Sequence, residues 1–292
     1  MFSFQLWRFY CFFLIFASIC ACSTTKINGT INLPSNKGIA ISTVSISKFK
    51  DNGGNLGEEM RTAIASKISN QGHVRVISMG AEAHLKGSIS MGRISHDSWS
   101  EEYKSDDEVK RRYYYQVEKS ISASYELNQD NRVFNDSYYE NYSQTWSSNL
   151  SSSDARRQSI NESEINSRLI GRIATHITND ITPHKAAREF TFKHGKDANL
   201  KIGIKYVEHQ RYDQAISIFR QVAENTLDIK DRATATYNLG VIFEMQGQFE
   251  KAFEKYRDAN QMVLSEEDYI TALSRAEKHY KLQQEFLRQT EQ

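Results

Sequence analysis

A two-residue alternation over residues 113–127 is the feature that most constrains the fold. Apolar residues occupy the odd positions, with Lys119 as the exception, and polar residues occupy the even positions from Gln116 onward. Because successive side chains of a strand point to opposite faces, this pattern predicts a long strand with one buried face. A turn sequence at 128–131 follows, and residues 133–146 return as a second strand. The chain must therefore build a sheet and cover one face of it.

Helical patterns on both sides of this strand pair predict the elements that cover the sheet. Apolar residues at helical spacing over 56–70, closed by Gly72, predict an amphipathic helix. Apolar residues also recur every four positions between Ile165 and Ile181. We therefore expect a helix over 154–181, with Asp154 as its N-cap and a Thr-Pro dipeptide at its end.

Shorter apolar segments complete the predicted domain. The remaining strands are expected at 38–49, 74–77, 85–91 and, as a short last strand, 189–192. The charged segment 95–111 is expected to be a loop. The predicted order over residues 38–193 is β-α-β-β-β-β-α, which is an α+β domain with a mixed sheet and helices on one face.

Three segments of this domain carry a family resemblance. They read ISKFKDNGGNLGEEM at 46–60, GHVRVIS at 72–78 and AHLKGSI at 83–89. They resemble the periplasmic α/β domain of curli-secretion-channel lipoproteins and of lipoprotein activators of penicillin-binding proteins. The lipopolysaccharide-assembly lipoprotein has a similar element order. The resemblance implies a fold and a compartment more than an activity, because one fold supports many functions.

Self-similarity begins after residue 195. In each of two copies, a glycine (Gly203 or Gly240) precedes an aromatic residue by three positions and an alanine by 12 positions, and the copies lie 37 residues apart. The pattern resembles the tetratricopeptide repeat, in which small residues let two antiparallel helices approach closely. We predict an all-α domain over 194–292 with two such repeats and a capping helix at 266–288; an unrelated pair of helical hairpins is the alternative.

The repeat resemblance also implies a binding surface. Repeats of this kind stack into grooves that bind peptides or partner domains. By position in the family, the concave side would be lined by Leu200, Lys201, Ile204, Tyr237, Asn238, Val241 and Glu244. The alternative is that the repeats only brace the α/β domain or a dimer.

The N-terminus is typical of a secreted protein. Residues 9–21 form an uncharged run that is too short to span a bilayer and has the length of a signal-peptide core. The run ends in Ile-Cys-Ala before Cys22, which resembles the lipobox of bacterial lipoproteins. This resemblance implies a signal peptide at 1–21 and acyl chains, palmitate among them, on Cys22. Ser23 favours the outer membrane by resemblance to enterobacterial sorting; a signal anchor with a chance cysteine is the alternative.

The cysteine count and the charge balance of the mature chain do not indicate a redox, metal-binding or nucleic-acid-binding function. All three cysteines lie in the first 22 residues, so only Cys22 would remain after cleavage. Cleavage also leaves 36 basic and 36 acidic residues, and this balance does not indicate nucleic-acid binding. Residues 22–37 are polar and turn-rich, and we expect them to form a tether between the lipid and the folded domains.

No catalytic or metal-binding motif is recognisable in the sequence. The eight histidines lack metal-ligand spacing, and the glycine-rich turn before residue 56 lacks the Gly-Lys-Ser/Thr end of a phosphate loop. We therefore expect no enzyme activity, no cofactor and no metal. An aromatic set could stack on a glycan or a partner, although such residues more often pack a sheet; its members are Trp99, Tyr138, Tyr139, Tyr142 and Trp146.

These features favour a lipid-anchored outer-membrane protein that faces the periplasm. We expect it to act as an adaptor that binds proteins or peptides of an envelope assembly or secretion complex, and self-association stays open. One alternative is a subunit of an oligomeric curli-type channel, for which strands 113–127 and 133–146 are long enough to cross a bilayer. A cell-wall-active enzyme is the third hypothesis.

Overall fold

Two hydrophobic cores organise the chain, which the computed structural model describes over residues 24–52, 55–106 and 108–291. The leader predicted at 1–21 and the lipid site predicted at Cys22 lie outside the described residues. The strands are β1 Thr24–Leu33, β2 Thr43–Ile46, β3 Arg75–Val76, β4 Ala83–Met91, β5 Ser95–Ser105, β6 Glu108–Gln129, β7 Arg132–Ser148 and β8 His184–Lys193. The helices are α1 Leu56–Gln71, α2 Ser152–Arg157, α3 Glu162–Ile181, α4 Ala198–Glu208, α5 Tyr212–Asn225, α6 Ile229–Met245, α7 Phe249–Met262 and α8 Glu267–Thr290.

The long strand β6 is the centre of a mixed sheet. β2 runs parallel to β3 and β4, whereas β6 is antiparallel to β4, β5 and β7. β4 and β5 follow each other along one edge of β6, and β7 pairs along the other edge. The predicted alternation is confirmed, because the odd residues from Tyr115 to Leu127 are buried. We call residues 34–183 the sheet domain.

Helices α1, α2 and α3 cover one face of this sheet, as predicted. The apolar face of β6 that the channel alternative would turn to lipid contacts α2 and α3 instead. Lys119 breaks the alternation because its ammonium group is buried and paired. Its Nζ lies 2.5 Å from a carboxylate oxygen of Glu162 and 2.7 Å from the amide oxygen of Asn166 on α3.

A glycine lies at each end of α1, and each has a steric or conformational role there. Gly57 lies so close to the preceding strand segment that a Cβ atom there would be 1.9 Å from the carbonyl oxygen of Phe49. Gly72 closes the helix with a φ of 76°, in the left-handed region that favours glycine, so the predicted stop signal is confirmed.

The single helix predicted over 154–181 is wrong, because α2 and α3 are separate helices. Ser151, not Asp154, caps α2 by accepting a hydrogen bond from the backbone N–H of Asp154 at 3.1 Å. Asn161 caps α3 by accepting from the backbone N–H of Glu164 at 2.9 Å. Two capping side chains ten residues apart therefore start two helices.

The loop predicted at 95–111 is also wrong. Residues 95–105 form β5, which pairs with residues 108–118 of β6 in a hairpin whose side chains are mostly exposed. Side-chain contacts between the two strands stabilise this hairpin: Trp99 stacks on Tyr114 at 5.1 Å between ring centroids, and Arg111 is paired with Glu102. The apolar alternation that marks a half-buried strand is absent from β5 because its side chains on both faces are exposed or half-buried.

The tether predicted at 22–37 is corrected from residue 24 onward. Thr24–Leu33 form β1, which pairs antiparallel with the whole of β8 in a separate two-stranded ribbon. The short last strand predicted at 189–192 does exist within β8, but it does not join the main sheet. Ile31, Phe190 and Phe192 instead pack into the second core among the C-terminal helices.

Helices α4 to α8 form successive antiparallel neighbours around this second core. The close packing predicted at the glycines is confirmed, because a Cβ atom on Gly203 would lie 2.4 Å from the Phe219 ring and one on Gly240 would lie 2.7 Å from the Tyr256 ring. The region is not purely α, since the ribbon completes its core; the tetratricopeptide assignment itself stays a prediction. We call the ribbon and α4–α8 together the helical unit.

Candidate interaction surfaces

The residues predicted to line a partner groove are mostly buried. Lys201 alone of the seven is exposed. The six buried residues are Leu200, Ile204, Tyr237, Asn238, Val241 and Glu244. The ribbon packs against α6, where Tyr237 and Asn238 bond the backbone of β8, so this part of the predicted groove is closed to a partner in the structure.

The contact between α6 and the ribbon resembles peptide recognition within one chain. Asn238 accepts a hydrogen bond from the backbone N–H of Lys193 and donates one to the carbonyl oxygen of the same residue, both at 2.9 Å. The Tyr237 hydroxyl donates to the carbonyl oxygen of Thr191 at 3.2 Å. Because Asn238 is fully buried, its amide satisfies the backbone of β8 away from water.

The side chain of Lys193 fixes the end of the ribbon. It is buried, and its Nζ lies 2.7 Å from Asp268 and also contacts Glu266. Burial alone would lower the pKa of Lys193, but the hydrogen bonds to Asp268 and Glu266 outweigh it and raise the pKa above its ordinary value. The lysine therefore stays charged and ties β8 to the start of α8.

A second buried charge cluster surrounds Glu244. Its carboxylate accepts two hydrogen bonds from Arg275 at 3.0 Å and one from the Tyr256 hydroxyl at 2.7 Å, and lies 3.0 Å from Nδ1 of His279. Burial alone would raise the pKa of Glu244, but the close contact of His279 and the hydrogen bonds from Arg275 dominate and hold the pKa at about 2. Glu244 is thus a structural anion rather than a contact for a partner.

The exposed sheet face presents a different surface. On the side away from α1–α3, the register aligns Ser88, Ser124 and Ser137 in one row across β4, β6 and β7. All three serines are exposed, and the hydroxyls of Ser88 and Ser124 lie 2.8 Å apart. Small side chains in the middle of the sheet leave a trough there. We call this surface, centred on the serine row, the bare face.

Charged groups border the bare face towards β2. A concavity of 790 Å³ opens there, and its lining includes Lys48, Lys50, His84, Lys86, Glu126 and Asp136. Lys86 is paired with Glu126 at 2.8 Å, and Nδ1 of His84 lies 2.8 Å from the Ser45 hydroxyl. The exposed Lys48 and Lys50 make this border predominantly basic.

The predicted aromatic set divides between the two faces of the sheet. Tyr138 and Trp146 pack against the first core, and Tyr142 is buried in it. Tyr139 points out of the bare face and is 68% exposed, and Trp99 lies on the outer hairpin. Three of the five aromatic residues therefore pack the sheet, and Tyr139 is the one beside the serine row.

Residues 24–52, 55–106 and 108–291 hold no group of three or more histidine, cysteine or acidic side chains placed to bind a metal ion. Among the helices in that same part of the chain, none combines the length and the apolar character that a membrane span needs.

Comparison with protein families divides the chain in two. Residues 41–181 match the lipopolysaccharide-assembly family (LptE), and residues 201–291 match a domain of unknown function (DUF6340). The first match covers β2 to α3 and therefore the whole bare face. No curated protein matches the chain.

Two solved structures are similar over about half of the chain. The PelC dodecamer from Paraburkholderia phytofirmans is 12% identical, with 53% of this chain and 98% of that chain covered and a TM-score of 0.27. A putative neuraminyllactose-binding hemagglutinin homolog from Helicobacter pylori is also 12% identical, with 51% and 85% covered and a TM-score of 0.26.

Proposed function

We propose that this chain is a lipid-anchored accessory protein of an outer-membrane assembly complex, and that it binds a partner protein through the bare face. The observation that carries the proposal is the lipopolysaccharide-assembly match over residues 41–181, because the matched segment contains the bare face. The proposal places the protein on the periplasmic side of the outer membrane and gives it a non-enzymatic role in envelope assembly.

The lipobox-like sequence supports the anchor. Cys22 would carry the lipid, and it is the cysteine that remains in the chain after cleavage at residue 21. Thr24, two positions after Cys22 in the sequence, is the first residue of β1, so the anchor would be joined to the helical unit through a short link. We therefore expect that a Cys22→Ser variant is secreted but not retained in the membrane fraction.

The shape and chemistry of the bare face support a protein partner. Its hydroxyl groups can donate and accept hydrogen bonds, and its border carries Lys48 and Lys50. Exposed sheet faces with small side chains let another surface approach closely, and charge complementarity favours an acidic partner surface. The filled groove of the helical unit lacks this access.

Site-specific photo-crosslinking in cells tests the proposed interface. A photoreactive residue at Ser124, on the bare face, is compared with one at Ser163, which is exposed on α3 on the opposite side of the sheet. We expect defined envelope proteins to cross-link from Ser124 and not from Ser163. A Ser88→Arg substitution in the same trough should abolish the cross-link.

The crosslinking result can also reject the proposal. If both positions capture the same proteins, or if Ser124 captures none while the protein is anchored and folded, the bare face is not the interface. A cross-link from Ser124 to a second copy of this chain would replace the accessory role with self-association.

A further inference from the structure

Two loops that connect helices lie close to Thr24, the first residue of β1 after the predicted lipid anchor. β1 starts at Thr24, which pairs with Lys193, and the Thr25 hydroxyl lies 2.8 Å from Nε2 of His194. Only Ser23 separates Thr24 from Cys22 in the sequence. Because two residues of extended chain span at most about 7 Å, a lipidated Cys22 must lie close to this end of the ribbon.

Contacts of the ribbon end place the α5–α6 and α7–α8 loops at the same location. Nζ of Lys196 lies 3.3 Å from Asp228 at the start of α6, and the backbone N–H of Lys196 donates to Asp231 at 2.9 Å. Lys193 reaches Asp268 at the start of α8. The two loops and the first residue of β1 therefore share one end of the helical unit, which we call the anchor end.

Exposed apolar side chains protrude from these loops. Leu227, between α5 and α6, is 100% exposed, and Leu264, between α7 and α8, is 73% exposed. Ile229 at the start of α6 is 46% exposed. Transfer of large aliphatic side chains out of water lowers the free energy, so two loops that present them at one end offer a surface that an apolar environment would stabilise.

We propose that the anchor end rests on the bilayer and that Leu227 and Leu264 insert into its interface. The inference rests on the lipid anchor of the proposed function, because the short link to Cys22 would bring the anchor end next to the membrane. The sheet domain contacts the opposite end of α8, where the backbone N–H of Ser35 donates to Gln289 at 2.7 Å, and it would then project into the periplasm.

The contact is apolar rather than electrostatic. The anchor end carries Lys196 and Lys230 together with Asp228, Glu267 and Asp268, so its charges are mixed. A polybasic surface would depend on anionic lipid, whereas aliphatic insertion does not. The proposal therefore requires the same contact in neutral and in anionic membranes.

Fluorescent labels on single cysteines test the contact. In the lipidated protein the Cys22 sulfur is blocked by its thioether link to the lipid, so Leu227→Cys, Leu264→Cys and Leu150→Cys can each be labelled with an environment-sensitive dye. Leu150 is the matched control, because it is 78% exposed in the sheet domain. The labelled proteins are reconstituted into phosphatidylethanolamine vesicles with and without phosphatidylglycerol, which also carry a lipid-bound quencher.

We expect the labels at positions 227 and 264 to shift to shorter emission wavelength and to be quenched from the bilayer, equally in both vesicle types, while the label at 150 is not. Labels at 227 and 264 that behave like the one at 150 would overturn the proposal, as would quenching that requires phosphatidylglycerol. Shielding in cell envelopes but not in vesicles would mean that a protein covers these loops, which also overturns it. Release of the Cys22→Ser variant from membranes tests the anchor separately.

Discussion

In the helical unit, Asn238 binds the backbone of the chain's own strand β8, whereas in the sheet domain the row formed by Ser88, Ser124 and Ser137 is covered by no other described element. Both surfaces could receive an extended segment or a flat partner. The first is buried and satisfied by residues of the same chain, and the second is exposed. A sequence pattern can therefore indicate residues that bind a peptide backbone, but it does not reveal whether that backbone belongs to a partner or to the same chain.

The difference also separates structural from functional polar groups. The charges around Lys193 and Glu244 in the helical unit are desolvated and paired, so their removal should affect stability. The polar groups of the bare face are hydrated, so their removal should affect binding. Tryptophan fluorescence can distinguish the two regions, because Trp99 and Trp146 both lie in the sheet domain and residues 184–292 contain no tryptophan.

The largest effect is expected for Glu244→Ala. The substitution leaves Arg275 and the neighbouring Arg188 without their buried carboxylate. Breaking a buried ion pair by removing one partner typically costs about 3–5 kcal/mol. Urea denaturation followed by circular dichroism should show this loss for the helices before tryptophan fluorescence changes. Glu277→Ala, which removes an exposed pair with Lys281, is the control and should leave the free energy of unfolding nearly unchanged.

The stability of the helical unit should depend on pH in a defined direction. The folded pKa of Glu244 is lowered from its ordinary value of 4.5 to about 2, so the stabilisation is fully present above about pH 5. It is lost as pH falls through 4.5 towards 2, by up to about 3 kcal/mol. The stability difference between the natural protein and Glu244→Gln should therefore shrink over this range. A difference that stays constant from pH 6 to pH 2 would contradict the assigned ion pair.

Asn238→Leu should detach the ribbon. The backbone N–H and carbonyl of Lys193 would lose their buried partner, and an unsatisfied buried group costs about 1–3 kcal/mol. Hydrogen exchange should accelerate in β1 and β8 and stay slow in β4 and β6. Asn199→Leu, at an exposed position on α4, is the matched control. Equal acceleration in the main sheet would mean that the two regions unfold as one unit.

The sequence predicted best those elements whose pattern comes from burial against a neighbouring layer. The alternation over 113–127 and the helix over 56–70 are confirmed, since each has one face in the first core. The sequence does not reveal β5, because its side chains on both faces are exposed or half-buried and its pairing leaves no apolar period. Lys119 could be identified as an exception, but its partners Glu162 and Asn166 lie in a distant helix.

The ribbon and the site were harder to predict, for a related reason. Alternating apolar residues at Ile27, Ile31 and Leu33 were a usable signal for β1, but its partner β8 is more than 150 residues away. The pairing of β1 with β8 decides whether the predicted groove is open. The residue spacing within one helical repeat carries no information about this distant pairing. The bare face was visible only as the polar half of the alternation, which is also what an ordinary hydrated surface looks like.

The smallest effect on stability is expected for Ser88→Arg. This variant tests directly whether the bare face is open, in contrast to the filled groove of the helical unit. An exposed substitution of this kind should change the free energy of unfolding by less than about 0.5 kcal/mol, measured by urea denaturation with tryptophan fluorescence. The neighbouring Ile89 points into the first core, so Ile89→Arg should prevent folding of the sheet domain. If Ser88→Arg destabilised the protein comparably, the bare face would be covered by another part of the chain or by a second copy. Because we expect the fold to tolerate it, the same variant can be used in cells, where loss of the Ser124 cross-link would then report on binding alone.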